Sequence, residues 1–237
     1  MLKQSNHPPS ASSQSGFTII ESLIAIIVVS ILMIGLSPVI VLSVATRVQA
    51  RRVELATQAA RDYVDGVRSG AIDPPGNTVN VGDKNKNLSK FADEAAPNTT
   101  LPTCNTNAGQ YCSDDPNTGL YCVDRDESGG CENNSAKDMI VQAFRSVYED
   151  GNGDVVNDSE KGYLLGIRVY RADGFQNDGN LETGQTQLAS TSGLRVSDRK
   201  DPLFKLTTEI PPPIQANPAD ADSAYQDFCD RLGGCVN

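Results

Sequence analysis

From Leu23 to Ala45 the chain runs for 23 residues without a charged side chain. No other stretch of its 237 residues constrains the fold as strongly. As an α-helix rising 1.5 Å per residue, the run would span roughly 35 Å. A bilayer core is about 30 Å thick. Glu21 stands just before the run. A carboxylate at the centre of a membrane helix costs about 2.5–3.5 kcal/mol, and less near the interface. A charge kept there calls for a partner, and the nearest basic residues in sequence are Lys3 and Arg47.

Two plain readings compete for this stretch. A Sec signal peptide has an apolar core of about 7–15 residues and a small-x-small cleavage site. Ser43-Val44-Ala45 has that form, but the run is too long and Glu21 would serve nothing. A simple membrane anchor gives no reason for Gly16, Phe17 and Glu21 to occur together.

Gly16-Phe17-Thr18-Ile19-Ile20-Glu21-Ser22-Leu23 resembles the type IV prepilin signal, the class III leader of pilins and pseudopilins. The likeness covers about the first 55 residues. It implies that a membrane prepilin peptidase cuts between Gly16 and Phe17 and N-methylates Phe17. It further implies that Glu21, fifth in the mature chain, pairs with the N-terminal ammonium of a neighbouring subunit. Pro38, 22nd in the mature chain, would be the helix-kinking proline of the family. The implied partners are the peptidase, other pilins or pseudopilins in a filament, and an inner-membrane assembly platform. The implied place is the inner membrane, crossed once with the head outside the cytoplasm, and then a filament in the periplasm or at the cell surface. The Glu-Ser-Leu-Ile-Ala-Ile pattern is similar to minor pilins of pilus assembly or modification. The leader and cysteine-bearing head are similar to the hormogonium polysaccharide secretion pseudopilins of cyanobacteria, which implies export of a gliding polysaccharide.

Four segments follow: a leader over 1–16, a transmembrane or filament-core helix over 17–45, an amphipathic continuation over 46–70, and a head over 71–237. The leader is polar, with Pro8, Pro9 and five serines, and reads as disordered and cytoplasmic. Its single Lys3 faces Arg47, Arg51 and Arg52 on the other flank, against the positive-inside rule. The prepilin signal implies a cytoplasmic N-terminus nevertheless.

Beyond Ala45, Val48, Leu55, Ala59, Tyr63 and Val67 recur on one helical face, widened by Ala56, Ala60 and Val64. Gly70 and Pro74-Pro75 stop the helix. An amphipathic stripe needs a covering surface. Met139–Tyr148 and Tyr163–Tyr170 read as antiparallel strands, with a third near Leu188 or 194–196 and a fourth near Phe204–Thr208. Residues 71–100 and 101–136 read as loops, and Ser223–Leu232 as a short helix. The expected class is α+β: a long N-terminal transmembrane and amphipathic helix packed on a small antiparallel sheet, pilin-like, with disulfide-stapled loops.

Cys104, Cys112, Cys122, Cys131, Cys229 and Cys235 all lie in the head. Six cysteines in an exported domain read as three disulfides among fifteen connectivities. The expectation is sequence-local pairing: Cys104–Cys112, Cys122–Cys131 and Cys229–Cys235. Zinc is disfavoured, because no CxxC occurs and the one histidine, His7, is in the leader.

Net charge is −10 overall and −12 over residues 71–237. That balance argues against a nucleic-acid partner, which wants a basic footprint. Asp150, Asn152, Asp154 and Asp158 have partial calcium-loop spacing. Val155 stands where such a loop needs glycine, and Lys161 where it needs glutamate. An ordinary hairpin loop explains the same residues. Asp124, Asp126 and Glu127, beside Cys122 and Cys131, are a second cation candidate. No cofactor is otherwise expected, and no catalytic motif is present: the head lacks histidine and any nucleophile arrangement. The expectation is a structural filament subunit and not an enzyme. The alternative is an adhesin or binding module on a pilin stalk that recognises a surface or polymer.

Overall fold

The computed structural model describes residues 16–82, 88–97, 111–112, 119–176, 181–184, 199–213 and 218–231. The leader over 1–15 and the expected strand near Leu188 or 194–196 lie outside the described residues. The chain divides into two units, Met1–Ala45 and Thr46–Asn237.

Helix α1 covers Ile19–Arg68. Thr18 precedes it, and its Oγ1 accepts the Glu21 N–H at 3.4 Å. A hydroxyl at the N-cap answers one of the orphan donors of the first turn. In the N-terminal unit the side chains from Phe17 to Val44 are all exposed. In the second unit the helix turns amphipathic. Ala56, Ala59, Ala60, Tyr63, Val64 and Val67 are buried, while Val48 remains exposed. Three alanines on this face keep the backbone close to whatever it packs on. The helix ends where Ser69 donates to Asp65 O and Gly70 adopts a φ of 72°. Glycine tolerates that left-handed conformation without a Cβ penalty.

The sheet has six strands among the described residues. Strands β1 (Thr78–Asn80) and β2 (Leu120–Val123) lie beside β3 (Met139–Glu149). Strand β4 (Val155–Val156) folds back on β3, β5 (Tyr163–Arg171) pairs with it, and β6 (Phe204–Ile210) lies beyond β5. The principal pairs are antiparallel, with Ile140 opposite Tyr170 and Leu165 opposite Thr208. Strand β1 breaks the expected antiparallel pattern. It runs parallel to β3, Val79 opposite Ser146, so the sheet is mixed. Three residues are too few to show a strand period, and residues 71–100, expected as loop, also hold helix α2 (Leu88–Ala92). Strand β2 likewise falls inside the expected loop 101–136. The final helix, α3 (Pro218–Arg231), starts earlier than expected, at a proline suited to the first helical position.

Both faces of the sheet are covered. Met139, Val141 and Ala143 of β3 join Leu165, Ile167 and Val169 of β5 in one core with the α1 face. The alternate residues Ile140 and Tyr170 join Phe175, Leu181 and Cys122 on the other side. Phe144 packs with Phe91, ring centroids 4.8 Å apart. A Cβ on Gly166 would stand 2.3 Å from the Phe144 ring, so that position requires glycine.

On the second face Arg168 is buried, and among the described residues no carboxylate forms an ion pair with it. Its Nη1 donates to Glu94 O at 2.6 Å and its Nη2 to Ala92 O at 2.8 Å. The guanidinium also stands 5.2 Å from the centre of the Phe144 ring. Gln142 Nε2 donates to Ala95 O at 2.7 Å. One cation therefore gathers carbonyls at the end of α2 and just after it, and holds that segment on the sheet.

Candidate functional site

The N-terminal unit carries the processing and assembly candidates. Gly16, Phe17 and Thr18 are outside the helix, and among the described residues nothing beyond its chain neighbours lies within 4 Å of a Cβ built on Gly16. Phe17 is 80% exposed. The Gly16–Phe17 bond therefore lies in open, non-helical backbone. Glu21 is in the first turn of α1, three residues after the Thr18 cap. A carboxylate there is favoured by the positive end of the helix dipole. This local role is compatible with a second role towards a neighbour's ammonium. Pro38 lies inside α1, and the helix assignment continues through it. Its missing N–H leaves the carbonyl four residues earlier without the usual partner. The helix is long and apolar enough to cross a membrane.

In the head, Cys122 and Cys131 are joined, with Cα atoms 5.8 Å apart. Cys112 and Cys229 are disulfide-bonded too, and their partners lie outside the described residues. Cys104 and Cys235 are themselves outside the described residues.

The loop inside the Cys122–Cys131 bridge is organised by Asp124. Its Oδ1 accepts the N–H groups of Asp126 and Glu127 at 3.0 and 2.7 Å. Its Oδ2 accepts those of Gly129 and Gly130 at 2.9 and 3.0 Å. Partial burial pushes the carboxyl up, but these four donors outweigh it and hold Asp124 below the usual carboxylate range. Asp126 is held low by the Ser135 hydroxyl, which donates to Oδ2 at 2.7 Å, and by Ser128.

The structure brings Asp138 to Asp124 and Asp126, their ligand oxygens within 4.8 Å of one another, where the sequence pointed to Glu127. Glu127 instead takes the strained loop position, with φ 61°. Asp138 is buried and accepts from the backbone N–H of Arg125 and of Glu132 at 3.1 and 3.2 Å. It escaped the sequence reading because it lies beyond the cysteine-bounded segment. The oxygens of all three are engaged by loop donors, so their direct work is to shape residues 124–138. Arg125 then ties the loop to α1 through Asp62 at 3.3 Å.

The calcium-loop candidate, Asp150, Asn152, Asp154 and Asp158, lies in and just after a hairpin turn. Asp150 Oδ1 accepts from the N–H groups of Asn152 and Asp154, both at 2.9 Å, and β4 pairs back on β3 at Tyr148 and Glu149. These backbone donors, Asp154 first, hold the Asp150 carboxyl below its usual range. Asp158 caps the 3₁₀ turn Ser159–Lys161 by accepting the Glu160 N–H. Among the described residues, Asp150, Asp154 and Asp158 do not form a metal-ligating group of three carboxylates; Asp124, Asp126 and Asp138 do.

A tyrosine cluster sits between α1 and the sheet. Tyr63 and Tyr111 share a hydrogen bond of 2.6 Å, and Tyr111 donates to Asp73 O at 2.7 Å. Burial drives the Tyr63 and Tyr111 hydroxyls far above their ordinary value and pushes Tyr163 up to about 12.

A family model for the prokaryotic N-terminal methylation motif matches residues 11–37. No curated protein and no solved structure matches the chain. The matched motif is the prepilin-type signal, and it supports the class of type IV pilin-like proteins. The long N-terminal helix packed on a mixed sheet, with a disulfide in the head, is a pilin-like α+β arrangement.

Proposed function

We propose that the chain is a minor pilin or pseudopilin, a structural subunit of a type IV pilus-like or type II secretion-like filament. The methylation motif over residues 11–37 carries this reading. Prepilin peptidase would cut between Gly16 and Phe17 and methylate Phe17. The new ammonium would stand one residue before the Thr18 cap, at the positive end of the α1 dipole. It needs a carboxylate there, and Glu21 of an adjacent subunit supplies one. The exposed apolar side chains from Phe17 to Val44 supply the surface for a membrane and then for a bundle of neighbouring helices. The finer reading is a pseudopilin serving polysaccharide export and gliding, the B member of the hormogonium set. It rests on the likeness of leader and cysteine-bearing head alone.

N-terminal sequencing and intact mass of the membrane form test the proposal. The expected product begins at Phe17 and carries one added methyl group, and Gly16→Ala leaves the chain largely uncut. A product beginning at Thr46 would replace this reading with a Sec signal peptide.

A further inference from the structure

The sheet has an unused edge. Strand β6 pairs with β5 on one side, and among the described residues no strand meets its other side. The register says which backbone groups face outward. Leu164 N–H donates to Ser146 Oγ at 3.0 Å, so the Leu164 backbone faces β3 and that of Tyr163 and Leu165 faces β6. Opposite Tyr163, Leu165 and Ile167 stand Ile210, Thr208 and Leu206, which therefore bond to β5. The N–H groups of Lys205, Thr207 and Glu209 point the other way, and among the described residues no backbone carbonyl accepts from them. Arg68 comes to this edge from outside, its Nη2 donating to Glu209 O at 3.2 Å.

An open edge invites another strand, and proteins usually blunt one with charge, proline or a covering loop. Those devices stand at the ends of β6 and leave its middle open. The Lys205 ammonium is drawn aside to Thr183 O and Gly184 O. Pro211, Pro212 and Pro213 begin after Ile210, the last residue of the strand. Between them Leu206, Thr207 and Thr208 carry no charge, and threonine favours a strand. A cavity of about 550 Å³ lies along the same stretch, beside Thr207, Thr208 and Glu209. Leu164, Tyr225 and Phe228 supply apolar walls, and Tyr225 is 55% exposed.

We propose that the outer edge of β6 receives an extended segment of a neighbouring pilin-like subunit as a further strand, with one large apolar side chain of that segment seated against Leu164, Tyr225 and Phe228. The inference rests on the filament reading above. An extended polypeptide offers donors and acceptors along one side at the repeat of about 7 Å that Lys205, Thr207 and Glu209 present. A sugar or a lipid headgroup would match the cavity alone. The edge is short, about 14 Å from Lys205 to Glu209, so the contact is weak by itself. Heads held side by side in a filament raise the effective concentration, and a weak contact then suffices.

The test places photoreactive benzoylphenylalanine at position 209 of the full chain, in cells that make its partner pilins, and identifies the adduct by mass spectrometry. The expected adduct joins position 209 to a segment of a second chain that carries a prepilin-type signal. Thr207→Pro should lower its yield several-fold. That proline removes an N–H facing away from β5, so the β5–β6 ladder keeps its bonds and the melting temperature should hold. Tyr225→Ala, at an exposed position, should lower the yield as well, and it serves if the proline variant does not fold. A product that begins at Phe17 but gives no adduct with a pilin-like chain overturns the edge docking and leaves the filament reading in place. An adduct within the same chain, or with a glycan or lipid, overturns it too, as does a yield that neither change moves. A product that begins at Thr46 overturns both readings.

Discussion

Replacing Arg168 with leucine tests the account of how the second sheet face is closed. The side chain is 3% exposed, and its two short bonds, 2.6 Å to Glu94 O and 2.8 Å to Ala92 O, carry most of its work. The contacts at 3.3 Å to Gln142 Oε1 and 3.4 Å to Ala95 O are weaker, and Ala95 O keeps its bond from Gln142. A hydrogen bond from a charged donor contributes about 1.5–3 kcal/mol. Ala92 is at the surface, so water recovers part of one bond. Leucine also returns some apolar burial. The expected loss is about 2–4 kcal/mol. For a unit of this size each kcal/mol shifts Tm by about 2–4 °C, so Tm should fall by roughly 5–15 °C. Lysine at 168 keeps the charge but loses the fork, and should fall in between. Thermal melting of the full chain in detergent gives the number, and trypsin cleavage after Lys90 reports whether α2 has come loose. An Arg168→Leu protein that melts with the native one and is no more sensitive at Lys90 would refute the reasoning.

Glu21→Ala should be cleaved and reach the membrane normally, yet incorporate poorly into filaments, because deleting one member of a buried pair costs about 3–5 kcal/mol in soluble proteins. Co-purification with partner pilins at native yield would show the charge is not used. Converting Cys122 and Cys131 together to serine should cost about 3 kcal/mol by loop entropy, given a separation of 9 residues, and differential scanning calorimetry reads it directly. Asp124 and Asp126 titrate below the usual range in the folded head. Their contribution is therefore complete above the unfolded carboxyl value near 4 and is lost as pH falls through the lower folded value. Acid titration of Tm should show that loss, and Asp124→Ala should flatten it.

Much of the frame was legible from local pattern. The uncharged run marked the apolar half of α1, long enough to cross a membrane, since few other elements accommodate 23 such residues. The stripe Ala56, Ala59, Ala60, Tyr63, Val64 and Val67 could be read at helical spacing and is buried. Strands β3, β5 and β6 showed as apolar segments between turns, and each is found within a few residues of its expected limits. The methylation motif over residues 11–37 is equally local, being a pattern of consecutive residues.

The sequence by itself determined the elements whose chemistry is complete over a few turns: anchor, helical stripe, strands and the signal before them. Tertiary structure alone decided the rest. The parallel pairing of β1 with β3 is made by backbone bonds that no side-chain pattern announces. Because β5 is buried on both faces, its alternation did not mark Arg168 as interior. The carbonyls that make that burial tolerable come from more than 70 residues away. Asp138 came beside Asp124 and Asp126 because the folded loop turns the backbone N–H groups of Arg125 and Glu132 onto its carboxylate. A buried polar group is stable only when distant donors and acceptors meet it, and the folded chain alone brings them there.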